Sequence, residues 1–117
     1  MRMNEVSFDD SRPVDGYGPG FFRVGGEVVQ GAVVLSPGGV TPWAGFEDAE
    51  AVVAKVEEVD FLLIGTGAQI AHPPSAFRHA LEAAGIGLEV MASPAACRTY
   101  NVLLAEGRRV GAAMLTV

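Results

Sequence analysis

The chain has one cysteine, Cys97, and two histidines, His72 and His79. A lone cysteine excludes an intramolecular disulfide framework and a thiolate metal cluster, and two histidines are too few to make a zinc site probable. No metal and no cofactor is therefore expected. Basic residues are scarce, eight Lys and Arg against 14 Asp and Glu, and the net charge is -6. That sign opposes nucleic-acid phosphates and an anionic membrane surface. No apolar run approaches the roughly 18 to 20 residues that cross a bilayer. The start, Met1-Arg2-Met3-Asn4-Glu5-Val6, has no apolar signal core, and Glu5, Asp9 and Asp10 oppose a mitochondrial presequence, so the expected location is the cytoplasm.

Against these absences stands a chain of 117 residues that is half hydrophobic, with a mean hydropathy of +0.31. Its length fits one domain, residues 1–117, with a core large enough to fold unaided. The most informative stretch is Asp60-Phe61-Leu62-Leu63-Ile64-Gly65-Thr66-Gly67. A short apolar run without alternation fits a strand covered on both faces, and glycines at its carboxyl end let backbone approach closely. Open α/β sheets keep their ligands at that end. The glycines complete neither a phosphate loop nor a dinucleotide fingerprint.

Residues 1–20, with Pro13, Gly16, Gly18 and Pro19-Gly20, read as an extended irregular arm, and residues 21–117 as the α/β core. Phe22-Arg23-Val24 and Val28 through Leu35 are strand-like, and Gly25-Gly26 between them signals a β-hairpin. Ser36 through Pro42 holds two prolines and two glycines, and is expected to be a loop that delivers Trp43. A helix is expected over 46–59, a strand over 61–65, a helix over 76–84 stopped by Gly85, and a strand over 86–91. Ser93 is then expected to cap a helix from Pro94 to about Ala105, before a last strand over 109–117. The second half is thus βαβαβ with parallel strands. The predicted fold is a compact α/β domain with a central mixed sheet, extended or covered by the amino-terminal hairpin.

In such a sheet the turn opening at Ser93 lies at the same edge as Gly65, Thr66 and Gly67, so both could border one crevice. The second segment carries Cys97, Arg98, Thr99, Tyr100 and Asn101. Arg98 offers a guanidinium fork to an anion, and the helix start and Arg98 both favour a Cys97 thiolate. The plainer reading is structural: Cys97 and Tyr100 in the core, Thr99 and Asn101 satisfying nearby backbone. His72, ahead of two prolines, reads as a rigid surface turn, and His79 as solvent-facing on a helix. Glu57, Glu58 and Asp60 read as a solvated helix end. Trp43 fits equally a core edge or an interface anchor. No catalytic set is complete, which disfavours a conventional enzyme.

Leu62-Leu63-Ile64-Gly65-Thr66-Gly67, Ala83-Ala84-Gly85-Ile86-Gly87 and Ala95 through Leu103, together with the Gly31 strand, Pro37-Gly38-Gly39-Val40 and Trp43, form an ordered pattern. From about Phe22 to Val117 it resembles the small family of unknown biochemical function that includes mitochondrial respiratory complex I (NADH dehydrogenase) assembly factor three and its archaeal and bacterial relatives. The resemblance implies a compact α/β fold and, in the mitochondrial branch, a partner-binding role during complex I assembly. It implies no known reaction. The expectation is a non-enzymatic interaction protein whose partners are respiratory complex subunits or assembly proteins, using a surface near Trp43 and the loops at Gly65 and Cys97. A second reading is an anionic small-molecule binder, or an unfamiliar enzyme, that uses Thr66 and Arg98 as anion donors. In a third reading the same loops form a homo-oligomer interface.

Overall fold

The structure, a computed structural model, describes residues 11–117. Among these the chain runs β1 (Val14–Gly18), β2 (Phe21–Val24), β3 (Glu27–Gln30), β4 (Val33–Ser36), β5 (Gly39–Pro42), α1 (Ala49–Val53), a 3-10 turn (Val56–Glu58), β6 (Phe61–Thr66), α2 (Ser75–Ala83), β7 (Leu88–Met91), α3 (Ser93–Ala105) and β8 (Val110–Leu115). Strands β1-β2-β3 form an antiparallel sheet, and a second, mixed sheet has the order β5-β4-β8-β6-β7. In the mixed sheet β6 pairs in parallel with both β7 and β8, as the βαβαβ reading requires.

The apolar run of β6 is continuous because both its faces are covered. Leu63 joins Val33, Leu35, Ala112 and Met114 in a core closed by Ala96, Cys97 and Tyr100 of α3 and by Val14, Phe22 and Val24 of the small sheet. Leu62 and Ile64 point the other way, with Val34 and Ala113, into a core closed by Val52 of α1 and by Phe77 and Leu81 of α2. Three layers result, with α1 and α2 on one face of the mixed sheet and α3 beside the small sheet on the other.

Several expected boundaries move. The arm is not irregular from Val14 onward, because β1 pairs with β2 there; its first ten residues lie outside the described residues. Gly25 and Gly26, with φ of 57° and 85°, make the expected two-residue turn between β2 and β3. The apolar run from Val28 is cut at Gly31, whose φ of 84° and N–H bond to the Gly20 carbonyl turn the chain from one sheet to the other. The hairpin therefore builds its own sheet, and β4 extends the central one by antiparallel pairing to β8.

Residues 36–42 are not a loop. Gly39–Pro42 pairs antiparallel with β4, from Val33 opposite Pro42 to Ser36 opposite Gly39. The turn at Pro37-Gly38 is held from a distance: a Glu58 carboxylate oxygen accepts from Ser36 Oγ and from Gly38 N, each at 3.0 Å. Pro42 is tolerated because β5 is an edge strand. The expected helix over 46–59 is a short α-helix followed by a 3-10 turn.

Among the described residues Asn101 joins α3 to the small sheet by hydrogen bonds to the backbone. Its Oδ1 accepts from Val14 N and its Nδ2 donates to the Val14 carbonyl, both at 2.8 Å. The amide thus imitates a strand partner for the start of β1. We predict that Asn101→Ala lowers unfolding stability by about 2 kcal/mol. Urea denaturation checks the loss, and faster hydrogen exchange at 14–18 than at 61–66 checks its location.

Candidate functional site

The helix after β6, α2, and the helix after β7, α3, pack on opposite faces of the sheet. Neighbouring parallel strands whose connections diverge in this way leave a crevice at their carboxyl ends, where α/β proteins place ligands. The structure brings Gly65, Thr66, Gly67 and the start of α3 together there, as the sequence pattern expects. It also fills the space between them.

Ser93 is the filler. It is fully buried, its Oγ accepts from Gly67 N at 2.9 Å and donates to the Leu115 carbonyl at 2.6 Å, and its own N–H donates to the Gly67 carbonyl at 2.7 Å. The residue before α3, Ala92, occupies the cap position, so Ser93 does not serve as the expected cap. A Cβ on Gly65 would lie 2.7 Å from Ser93 Oγ and 3.1 Å from Ser93 Cα, which is why the strand carries glycine at this point. Thr66 Oγ1 lies 2.7 Å from the Gln69 carbonyl and 3.3 Å from the Met91 carbonyl, and accepts from Ala71 N at 3.1 Å. The Gly67 amide and the Thr66 hydroxyl, which an anion would need, are therefore committed within the loops.

The remaining sequence candidates separate. Cys97 is 4% exposed and its Sγ lies 3.7 Å from Met114 Sδ. Burial pushes its thiol up from an ordinary 9.0 to about 11, and the nearby Arg98 charge only partly opposes this. The thiol is thus a packed core group, not the thiolate that a helix start alone would favour. Tyr100 is buried in the same core, and Asn101 holds β1. Arg98 is exposed, while Thr99 lines a cavity of about 350 Å³ beside β7. Trp43 lies across the sheet from all of them, in the core that α1 and α2 close. It is 5% exposed, its Nε1 donates to the Asp48 carbonyl at 2.9 Å, and its ring meets Phe46 edge-on at 5.6 Å and Phe77 at 5.8 Å. Little of the Trp43 surface is therefore accessible in this structure.

Among the described residues no group of three or more His, Cys, Asp or Glu could hold a metal, and no helix is long and apolar enough to cross a membrane. At the opposite end of the strands Arg109 donates to Asp60 at 3.0 Å, and that hydrogen bond lowers the Asp60 pKa. Both side chains are exposed, and the pair closes the amino-terminal edge of β6 against β8.

A three-layer α/β domain whose buried serine ties the carboxyl ends of its parallel strands together defines the class of protein. The chain belongs to the protein family of unknown function DUF498/DUF598, which it matches over residues 14–115, from the first residue of β1 to the last of β8. It is similar to an uncharacterized protein of Rhodobacter capsulatus, 49% identical over 98% of this chain and 93% of that one. It is also similar to human NADH dehydrogenase [ubiquinone] 1 alpha subcomplex assembly factor 3, 32% identical over 87% of this chain, which spans about three-fifths (59%) of the human protein's length. Among solved structures it resembles an outer membrane protein of Bartonella henselae, with a TM-score of 0.82 and 33% identity over 95% of this chain and all of that one.

The packing of Gly65 and Cys97 sets three expected outcomes. Gly65→Ala forces a methyl against Ser93 and Met114 and should lower stability by about 1 to 3 kcal/mol, read as a drop in thermal midpoint. The folded Cys97 thiol should resist iodoacetamide at neutral pH and react once the chain is denatured. Because the folded thiol keeps its proton more tightly than the unfolded one, its contribution to stability is full below pH 9.0 and is lost as pH rises toward about 11. Urea titrations across that range should show the decline, and Cys97→Ala should remove this part of it.

Proposed function

We propose that this chain is a non-enzymatic interaction protein that serves the assembly of a membrane-bound respiratory complex, working in the cytoplasm with complex subunits or other assembly proteins as partners. The observation that carries this reading is the 32% identity to a human protein named as an NADH dehydrogenase assembly factor, spread over 109 residues and thus over almost the whole described fold. The state of the crevice supports it. Ser93, Thr66 and Gly67 bond one another or nearby backbone, and Cys97 is a buried, protonated thiol, so the residues most suited to catalysis hold the fold together. What such a domain offers other molecules is its outer surface, and an assembly factor acts through surface contacts.

Deletion of the gene should reduce assembled complex I on native gels and NADH-driven respiration, and a tagged copy that restores both should retain complex I subunits or assembly proteins on purification. Unchanged complex abundance together with no such subunits recovered would count decisively against the proposal.

A further inference from the structure

We infer that the free edge of β7 is a docking strand for an extended segment of a protein partner, a segment that alternates apolar and basic side chains; this rests on the interaction reading above and names its surface. Among the described residues β7 ends the mixed sheet and pairs only with β6. Among the described residues no backbone hydrogen bond from outside the sheet reaches Leu88–Met91. An edge strand left in this state presents a row of N–H and C=O groups to any strand that can pair with it. Two other edges are less open: β5 ends in Pro42, which has no N–H to offer, and Val14 of β1 is engaged by Asn101.

Both faces of β7 carry a hollow. On the α3 side a cavity of about 350 Å³ is lined by Phe61, Leu63, Glu89, Thr99, Leu103 and Arg108. On the α2 side a cavity of about 330 Å³ is lined by Ile70, Ala71, His72, Arg78 and Val90, and Ile70 is 67% exposed. Successive side chains of a strand point to opposite faces, so a segment added to β7 would meet the two hollows in turn.

Charge selects the occupant. Glu89 stands in β7 on the α3 side, exposed and outside every ion pair of the described residues, whereas Arg108 in the same hollow lies over the Phe61 ring at 4.8 Å. A Lys or Arg on the incoming strand can lay its stem along Leu103 and its charge on Glu89. The alternate residues, facing Ile70 and Val90, are apolar. A second copy of the chain fits less well: it brings another net charge of -6, and an antiparallel pairing centred on residue 89 sets the two Glu89 carboxylates opposite each other.

The test titrates the isotopically labelled full chain with a short blocked peptide of alternating valine and lysine, and in parallel with one of alternating valine and glutamate. The lysine peptide should move the amide signals of 88–91, slow their exchange and bind about tenfold tighter than the glutamate peptide. Glu89→Lys, at an exposed position, should fold and reverse that preference. Equal binding of the two peptides, signals moving elsewhere, or no binding by either would overturn the inference, and Glu89 would then simply guard a closed edge. Self-association that protects 88–91 without peptide would also overturn it, in favour of a second copy. A parallel purification keeps the two readings apart. If the wild-type chain and Glu89→Lys retain the same respiratory subunits, the docking edge falls and the assembly role stands. If the wild-type chain retains none while the lysine peptide binds as expected, the edge stands and the assembly role falls.

Discussion

One buried hydroxyl fixes the geometry of the carboxyl end of this sheet. Ser93 Oγ joins the backbone just past β6 to the last residue of β8, while its own N–H ties the start of α3 to the same turn. In a low-dielectric interior such bonds are strong, and an unmatched partner is costly, so the arrangement holds three elements in one register. The requirement for glycine at position 65 follows from it.

The parts of the fold that could be read from sequence are those specified locally. β6 was legible as an apolar run buried on both faces, α2 by its face of Phe77 and Leu81 and its stop at Gly85, and α3 by Pro94 at its first turn. What escaped is specified at a distance. β5 reads as a loop because the group that closes its turn, Glu58, comes 20 residues later, and the tie of β1 to the core is hidden because it comes from Asn101. The division at Gly31 depends on the Gly20 carbonyl, which no period of hydrophobicity reveals.

The site was legible in the same partial way. Strand parity and chain order place residues 65–67 beside the start of α3, but they say nothing of what lies between. A serine ahead of Pro94 at a strand-to-helix junction reads as a cap, and only the approach of β8 turns it into a tie between strands. Sequence features alone group Trp43 with Cys97, whereas the sheet that separates their two cores depends on the strand order. The result is a domain in which Ser93, Cys97 and Tyr100 are interior while Arg98 is exposed.

The Asn101 clasp also orders the birth of the molecule. Val14 leaves the ribosome 87 residues before the side chain that will hold it, an interval of several seconds at roughly 5 to 20 residues per second. Until Asn101 is in place Phe22 and Val24 lack the completed helix and the β8 strand that close their core, so the amino-terminal hairpin depends on segments made long after it.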